Sequence, residues 1–172
     1  QKTKIANPDT AQGFSFGSAL AFDGSRLLVA APQQKGGAVH VYEADNSGSW
    51  TKEATLKSNR VDEDARFGSN VALHNNQVLV SAPRHAAGSG AVFVFKHNAD
   101  AKKWMSSGRL VAYDSAPRYG FGSSMAFVGS NVWVGAPGAE DGKGAIYEFT
   151  RAESGSGWAG PRRCGAFAPR PR

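Results

Sequence analysis

The sequence predicts an all-β fold built from three copies of one four-stranded antiparallel unit. A Phe-Gly-Ser segment recurs at intervals of 51 and then 54 residues, and an Ala-Pro pair follows each copy at the same distance. Apolar residues alternate within each copy, and no window has helical periodicity, so the chain is an array of one β unit. The repeated residues are Phe16, Gly17, Ala31 and Pro32, then Phe67, Gly68, Ala82 and Pro83, and finally Phe121, Gly122, Ala136 and Pro137.

The first two strands of each unit form a predicted hairpin. In the first copy, the apolar segment 19–22 precedes the turn residues Asp23-Gly24-Ser25, and a second apolar run covers 27–30. Such turn residues between two alternating runs are typical of hairpins. The Pro of each Ala-Pro pair ends the second strand, because proline has no N–H to donate to the sheet.

The third and fourth strands complete the unit. Third strands are predicted at 38–42, 91–95 and 145–149, and a Trp follows the first residue of each by twelve or thirteen positions. These residues, Trp50, Trp104 and Trp158, mark the fourth strand. Four antiparallel strands in about fifty residues are typical of a β-propeller blade. We interpret the three Trp as blade-packing residues, with a sugar-stacking platform as the alternative.

The repeated motif resembles the FG-GAP repeat of integrin α-subunit propellers. The third copy has the full Gly135-Ala136-Pro137, whereas Ala30 and Ser81 replace the Gly in the first two copies. The resemblance implies a propeller that acts as an interaction or adhesion module, in an extracellular or cell-surface setting. It is weaker for activity than for fold, because one fold hosts many functions.

Calcium binding is one property of the family that we do not expect in this chain. Many FG-GAP blades hold Ca²⁺ in an Asp-x-Asx-x-Asp-Gly loop, which supplies several oxygens from alternating residues. The corresponding segments, 23–26, 74–77 and 129–131, have too few carboxylates. The acidic segments 62–64 and 140–141 lack the ligand spacing and are interpreted as solvated loops. We expect no metal and no cofactor.

The repeats divide the chain into predicted segments. Three blades occupy about 13–57, 64–111 and 118–160, within residues 1–160. Residues 1–12 contain a predicted strand that belongs to a preceding or partner blade. Residues 161–172 form an Arg/Pro-rich C-terminal tail, which we interpret as disordered, with contact to phosphate, acidic protein or anionic lipid as the alternative.

Three blades are too few to close a ring, since propellers have typically 4–8. Two closures remain open. The N-terminal strand completes the third blade of a second copy, which gives a six-bladed homodimer, or the three-bladed arc docks within a larger assembly. The homodimer is favoured because an open arc exposes strand edges.

Composition limits the classes of partner. The formal net charge is +6, but four arginines in the last twelve residues supply most of it. The blades are nearly neutral, so nucleic-acid binding is poorly supported. A single cysteine, Cys164, excludes an intrachain disulfide, and no apolar run approaches the length of a transmembrane segment.

No catalytic residues are predicted. His40 occupies a strand position filled by Phe93 and Tyr147 in the other copies, and His74 and His97 fall in predicted turns. The loops after each Ala-Pro pair differ between copies and lie on one rim, where binding residues collect. The predicted binding residues are Gln33, Gln34 and Lys35, then Arg84 and His85, then Glu140, Asp141 and Lys143.

The leading functional hypothesis is therefore a non-catalytic interaction or adhesion module that binds protein partners through these loops and assembles through shared blades. A glycan-binding lectin and a structural subunit of a large complex are the alternatives.

Overall fold

In the computed structural model, which describes residues 4–8, 15–152 and 157–164, three four-stranded antiparallel sheets follow one another along the chain. Within these residues, blade 1 consists of β1 (Leu20–Phe22), β2 (Arg26–Ala31), β3 (Ala38–Ala44) and β4 (Trp50–Leu56). Blade 2 consists of β5 (Val71–His74), β6 (Gln77–Ala82), β7 (Ala91–Asn98) and β8 (Lys103–Leu110). Blade 3 consists of β9 (Ser124–Val128), β10 (Asn131–Ala136), β11 (Ala145–Phe149) and β12 (Arg162–Cys164). Each sheet keeps the order of the chain, which confirms the all-β, blade-like fold.

Local turn chemistry explains the predicted hairpins. In blade 1 the Asp23 carboxylate accepts hydrogen bonds from the backbone N–H of Ser25 at 3.0 Å and of Arg26 at 2.8 Å. In blade 2 the turn residues Asn75 and Asn76 both have positive φ, 48° and 58°. Two successive positive-φ residues match the twist of the strands that they join, and Asn tolerates this conformation. The hairpins are therefore fixed by residues within the turns themselves.

The two apolar cores lie between the blades. One core packs Leu28 and Val39 of blade 1 against Val78 and Phe93 of blade 2, and the other joins blades 2 and 3. The Phe of the repeated Phe-Gly is fully buried in each core, Phe67 in the first and Phe121 in the second. Neighbouring blades therefore depend on each other, as stacked repeats do.

Edge-to-face ring contacts order these cores. The rings of Phe67 and Phe93 are 5.6 Å apart, and those of Phe121 and Tyr147 are also 5.6 Å apart. Such geometry is favoured between aromatic rings. In the first copy the half-buried Phe16 lies 5.7 Å from the ring of His40.

Two glycines allow the blades to approach closely. Gly37 and Gly90 open the third strands of blades 1 and 2, with φ of 75° and 86°. A Cβ on Gly37 would overlap the carbonyl oxygen of Phe67, and one on Gly90 would overlap that of Phe121. The Phe of each following blade is therefore seated directly against the Gly of the blade before it.

The fourth strand of blade 3 differs from the prediction. Trp158 forms an isolated β-bridge with Arg151 and does not begin a strand. The fourth strand of blade 3 is instead β12, which pairs with β11 through Cys164 and Ile146 and through Arg163 and Tyr147. The assignment of residues 162–164 to a disordered tail is therefore wrong. Pro161 lies just before this strand, and the edge of β11 offers backbone partners to the three residues that follow it. Residues 165–172 lie outside the described residues.

The N-terminal prediction is not settled by this structure. Residues 4–8 contain no strand, and the rest of the segment 1–12 lies outside the described residues. Pairing with a preceding or partner blade stays a prediction. In the described part of the chain, no helix has the length and apolar character needed to cross a membrane.

Candidate functional site

The predicted binding residues lie at one end of the blades, called here the loop rim. The second and fourth strands of a blade run in the same direction, so the loops at 32–37, 83–90 and 137–144 leave from the same end as the links between blades. Loops on a rigid sheet are where binding residues collect. The loop rim is therefore the candidate binding surface.

Two of these loops contain an unusual left-handed turn. They form the four-residue turns α1 (His85–Gly88) and α2 (Ala139–Gly142), in which φ is 52° at Ala86 and 53° at Glu140. Ala87 and Asp141 also have positive φ. A left-handed residue with a Cβ costs about 1–2 kcal/mol, and such strain often persists at functional sites. The loop at 32–37 is two residues shorter and places glycines at its positive-φ positions.

The link between blades 1 and 2, residues 57–70, contacts two of the rim loops through acidic side chains. Glu63 Oε1 lies 3.1 Å from Lys35 Nζ, and Asp62 Oδ2 lies 3.3 Å from His85 Nδ1. Asp62 also accepts a hydrogen bond from the backbone N–H of Ala86 at 3.0 Å. This hydrogen bond, together with His85, lowers the pKa of the Asp62 carboxyl below its usual range. The Asp62 carboxylate thus fixes the strained turn, a role beyond that of a solvated loop.

The third loop is held by an ion cluster that we call the Tyr147 cluster. Arg163 lies 2.7 Å from Glu140 and 3.6 Å from Asp114. The hydroxyl of Tyr147 donates to Asp114 at 2.7 Å. Burial, followed by this hydrogen bond to an anion, raises the pKa of Tyr147 above its usual range. The Tyr147 cluster therefore attaches the rim loop and the link before blade 3 to strand β12.

The eight predicted binding residues do not converge on one point. Lys35, His85 and Glu140 make the ion pairs just described, and Gln34 is buried. The other four, Gln33, Arg84, Asp141 and Lys143, are exposed and distributed over the three loops. Their role in binding stays a prediction.

A further charged cluster lies at the opposite rim, and the sequence analysis missed it. Glu53 bridges Arg26 and His97, with both distances 3.0 Å, across the boundary between blades 1 and 2. Arg26 also lies over the ring of Trp104 at 5.6 Å, and His97 is 5.2 Å from the same ring. The prediction that His97 falls in a turn is wrong, because His97 lies near the end of β7, and its side chain is only 10% exposed. Nothing local in the sequence brings positions so far apart together.

The Trp residues pack within the blades. Trp104 contacts the core between blades 1 and 2, and Trp158 contacts the core between blades 2 and 3. Trp50 lies against the ring of Phe22 at 5.9 Å. These contacts favour the blade-packing interpretation over a row of sugar-stacking platforms.

The described residues contain no cluster suited to metal chemistry, since no three or more His, Cys, Asp and Glu side chains are placed together to hold an ion. Asp23 lies where the family carries its calcium loop, and its carboxylate caps the turn through Ser25 and Arg26. The absence of calcium stays a prediction, to be tested with a chelator.

The outer face of blade 3 is more exposed than the equivalent face of blade 2. Leu79 and Val92 of blade 2 are fully buried against blade 3. Their equivalents in blade 3, Trp133 and Ile146, are 37% and 46% exposed. They line a depression of about 700 Å³ that also includes Cys164. A surface that is core in one blade is thus open in the next.

The outer face of blade 1 also exposes apolar side chains. Leu20 and Phe22 are 61% and 59% exposed, whereas their equivalents in blade 2, Val71 and Leu73, pack against blade 1. The exposure is confined to the first strand, because Val29 and Tyr42 on the same face are buried.

Comparisons with known proteins agree with the repeat and the fold. The FG-GAP repeat family matches residues 50–95 and 104–149, which together make up more than half of the chain. Each matched segment runs from the fourth strand of one blade into the third strand of the next.

Two solved structures share the fold at low sequence identity. The chain is similar to Saccharomyces cerevisiae Sqt1, with 9% identity, a TM-score of 0.57, and coverage of 90% of this chain and 36% of that chain. It is also similar to a putative 6-phosphogluconolactonase from Bacteroides uniformis ATCC 8492, with 15% identity, a TM-score of 0.55, and coverage of 87% and 43%. The chain thus spans about two fifths of the length of these structures, and identities this low concern the fold alone. The chain belongs to the FG-GAP repeat family, and its three blades form a β-propeller-like module.

Proposed function

We propose that this protein is a non-catalytic interaction module that binds protein partners, and that its first partner is a second copy of itself. The observation that carries the proposal is the open outer face of blade 3, with Trp133 and Ile146 exposed where blade 2 buries Leu79 and Val92. Burying such side chains contributes roughly 1.5–3 kcal/mol each, so a covering blade is the natural occupant.

The outer faces of blades 1 and 3 correspond to the two kinds of face that pack together within the chain. At both boundaries within the chain, the face carrying the Phe of one blade packs on the opposite face of the preceding blade. Blade 1 presents Phe16, Leu20 and Phe22 on a face of the first type, and blade 3 presents a face of the second type. Two copies related by a two-fold axis would bury both pairs of faces in a six-bladed ring, within the usual range of blade numbers.

The exposed loop residues extend the proposal to other proteins. Gln33, Arg84, Asp141 and Lys143 differ in chemistry at equivalent loops, which suits recognition of a particular partner. An adhesion role, implied by the resemblance to integrin α-subunits, belongs to this proposal. The Trp contacts within the blades give less support to a lectin, and the low identity to the putative lactonase gives none to an enzyme.

The experiment is the native mass from light scattering on a gel-filtration peak. The wild-type protein is expected at twice the chain mass of 18.1 kDa. Ile146→Lys places a charge on the outer face of blade 3 and should give a monomer. Met105→Lys is the matched control. Met105 is 55% exposed on the outermost strand of blade 2, and blade 2 already has a neighbouring blade on each side.

Each outcome has a direct meaning. A wild-type dimer that only Ile146→Lys dissociates supports the proposed assembly. A monodisperse wild-type monomer, or a dimer that both variants leave intact, contradicts it. Recovery of the protein only together with other chains would favour the structural-subunit alternative.

A further inference from the structure

Depressions at the loop rim lie beside the third strands of blades 1 and 2, and at the equivalent place in blade 3 charged side chains contact one another. Arg163 lies opposite Tyr147 in the register of β11 and β12. Two carboxylates neutralise it, Glu140 at 2.7 Å from the rim loop and Asp114 at 3.6 Å from the link. The arrangement is a cation recognised by two carboxylates from different segments.

Blade 2 keeps the cation but lacks both carboxylates. Arg109 lies opposite Phe93 in the register of β7 and β8, as Arg163 lies opposite Tyr147. The residue equivalent to Glu140, third after the Pro of the loop, is Ala86, with nearly the same φ. The residue equivalent to Asp114, fourth after the Leu that ends the outer strand, is Arg60. One carboxylate is thus absent and the other is replaced by a second cation.

The result is an open groove, called here the basic groove, with a volume of about 660 Å³. Its lining includes Lys57, Asn59, Arg60, Phe93, Ser106 and Arg109, and contains no acidic residue. No ion pair among the described residues involves its three cations, and the Arg109 guanidinium lies 3.3 Å from the ring nitrogen of His85. Positively charged side chains that line a concave site attract anions.

We infer that the basic groove binds a pair of carboxylates from an acidic segment of a partner protein. The two carboxylates take the places that Glu140 and Asp114 occupy in blade 3, and the guanidinium groups of Arg60 and Arg109 receive them in the planar geometry that suits carboxylates. Phe93 at the base of the groove packs against the methylene groups of the acidic side chains. The groove lies between blades 1 and 2 of one copy, so this inference does not depend on the proposed dimer.

The first test measures binding of a short fluorescein-labelled peptide in which glutamates alternate with glycines, by fluorescence anisotropy. The wild-type protein should bind this probe, and a matched peptide with glutamines should not bind. Arg60→Gln with Arg109→Gln should weaken binding about tenfold or more. Lys52→Gln with Lys103→Gln removes the same charge from exposed strand positions outside the groove and should change it little. Equal losses in both double variants, or equal binding of both peptides, would overturn the inference.

The second test transfers the blade 3 arrangement to blade 2. Ala86→Glu places a carboxylate where Glu140 reaches Arg163, and it should weaken peptide binding about tenfold without lowering the thermal midpoint. Ala87→Glu is the matched control, since it adds the same charge at the next left-handed position, equivalent to the exposed Asp141. Wild-type affinity in Ala86→Glu would overturn the inference. Repeating the titration on the Ile146→Lys variant separates the groove from the assembly, because peptide binding should survive loss of the dimer.

Discussion

Replacement of Gly90 by alanine tests the close approach of neighbouring blades. A Cβ on Gly90 would overlap the carbonyl oxygen of Phe121 and lie 2.6 Å from its nitrogen and 2.9 Å from its carbonyl carbon. These are backbone atoms, so no flexible side chain can move away. Phe121 is also anchored there, because its N–H donates to Ser89 O at 3.0 Å.

The chain provides a matched control at Gly144, which opens the third strand of blade 3. Its φ of 82° is close to the 86° of Gly90, so alanine meets the same backbone strain, about 1–2 kcal/mol, at both positions. A Cβ on Gly144 would meet only ordinary contacts, with Pro137 atoms at 3.6 Å. Gly90→Ala additionally forces blades 2 and 3 apart, at about 1–3 kcal/mol.

The assay is urea denaturation of both variants on the Ile146→Lys background, which the proposed assembly predicts to be monomeric. We expect Gly90→Ala to lower the free energy of unfolding by about 2–5 kcal/mol, and Gly144→Ala by about 1–2 kcal/mol. Equal losses would refute the reasoning, because they would mean that the backbone of Phe121 does not restrict the space at Gly90.

Three further predictions follow from the loops and the sites. Ala87→Gly removes the backbone strain of a left-handed alanine, so the free energy of unfolding should rise by about 1 kcal/mol. Ala126→Gly, at an exposed position of strand β9, should lower it by about 0.5–1 kcal/mol, and urea denaturation of both variants checks this. Because the folded-state pKa of Tyr147 is raised, its contribution to stability is complete below the unfolded pKa of about 10 and is lost as pH rises above it. Tyr147→Phe should therefore reduce the slope of unfolding free energy between about pH 9 and pH 11, and an unchanged slope would exclude this role. A chelator should leave the thermal midpoint unchanged, and a lower midpoint would show that a blade holds calcium.

The repeated unit could be predicted because its determinants are local. Period-two alternation and the turn residues lie within each hairpin, and the Phe that packs between the blades follows from the repeat. Phe67 and Phe121 are both fully buried, as their repeated position predicts.

The charged contacts could not be predicted in the same way. Arg163 joins Asp114 and Glu140 only after β12 pairs with β11, and its Arg/Pro-rich surroundings favour a tail over a strand. Glu53 and His97 meet only because two blades pack together. Pairings between distant positions depend on tertiary structure, which local propensity does not contain.

The native mass of Gly144→Ala tests most directly whether a second copy covers blade 3 as blade 3 covers blade 2. In that arrangement Gly144 faces the Phe16 carbonyl of the second copy, as Gly90 faces that of Phe121, and a Cβ would block the approach. The account predicts a wild-type dimer at twice 18.1 kDa and a folded Gly144→Ala monomer at 18.1 kDa. A Gly144→Ala variant with the same dimer mass as the wild type, or a wild-type monomer, would contradict it.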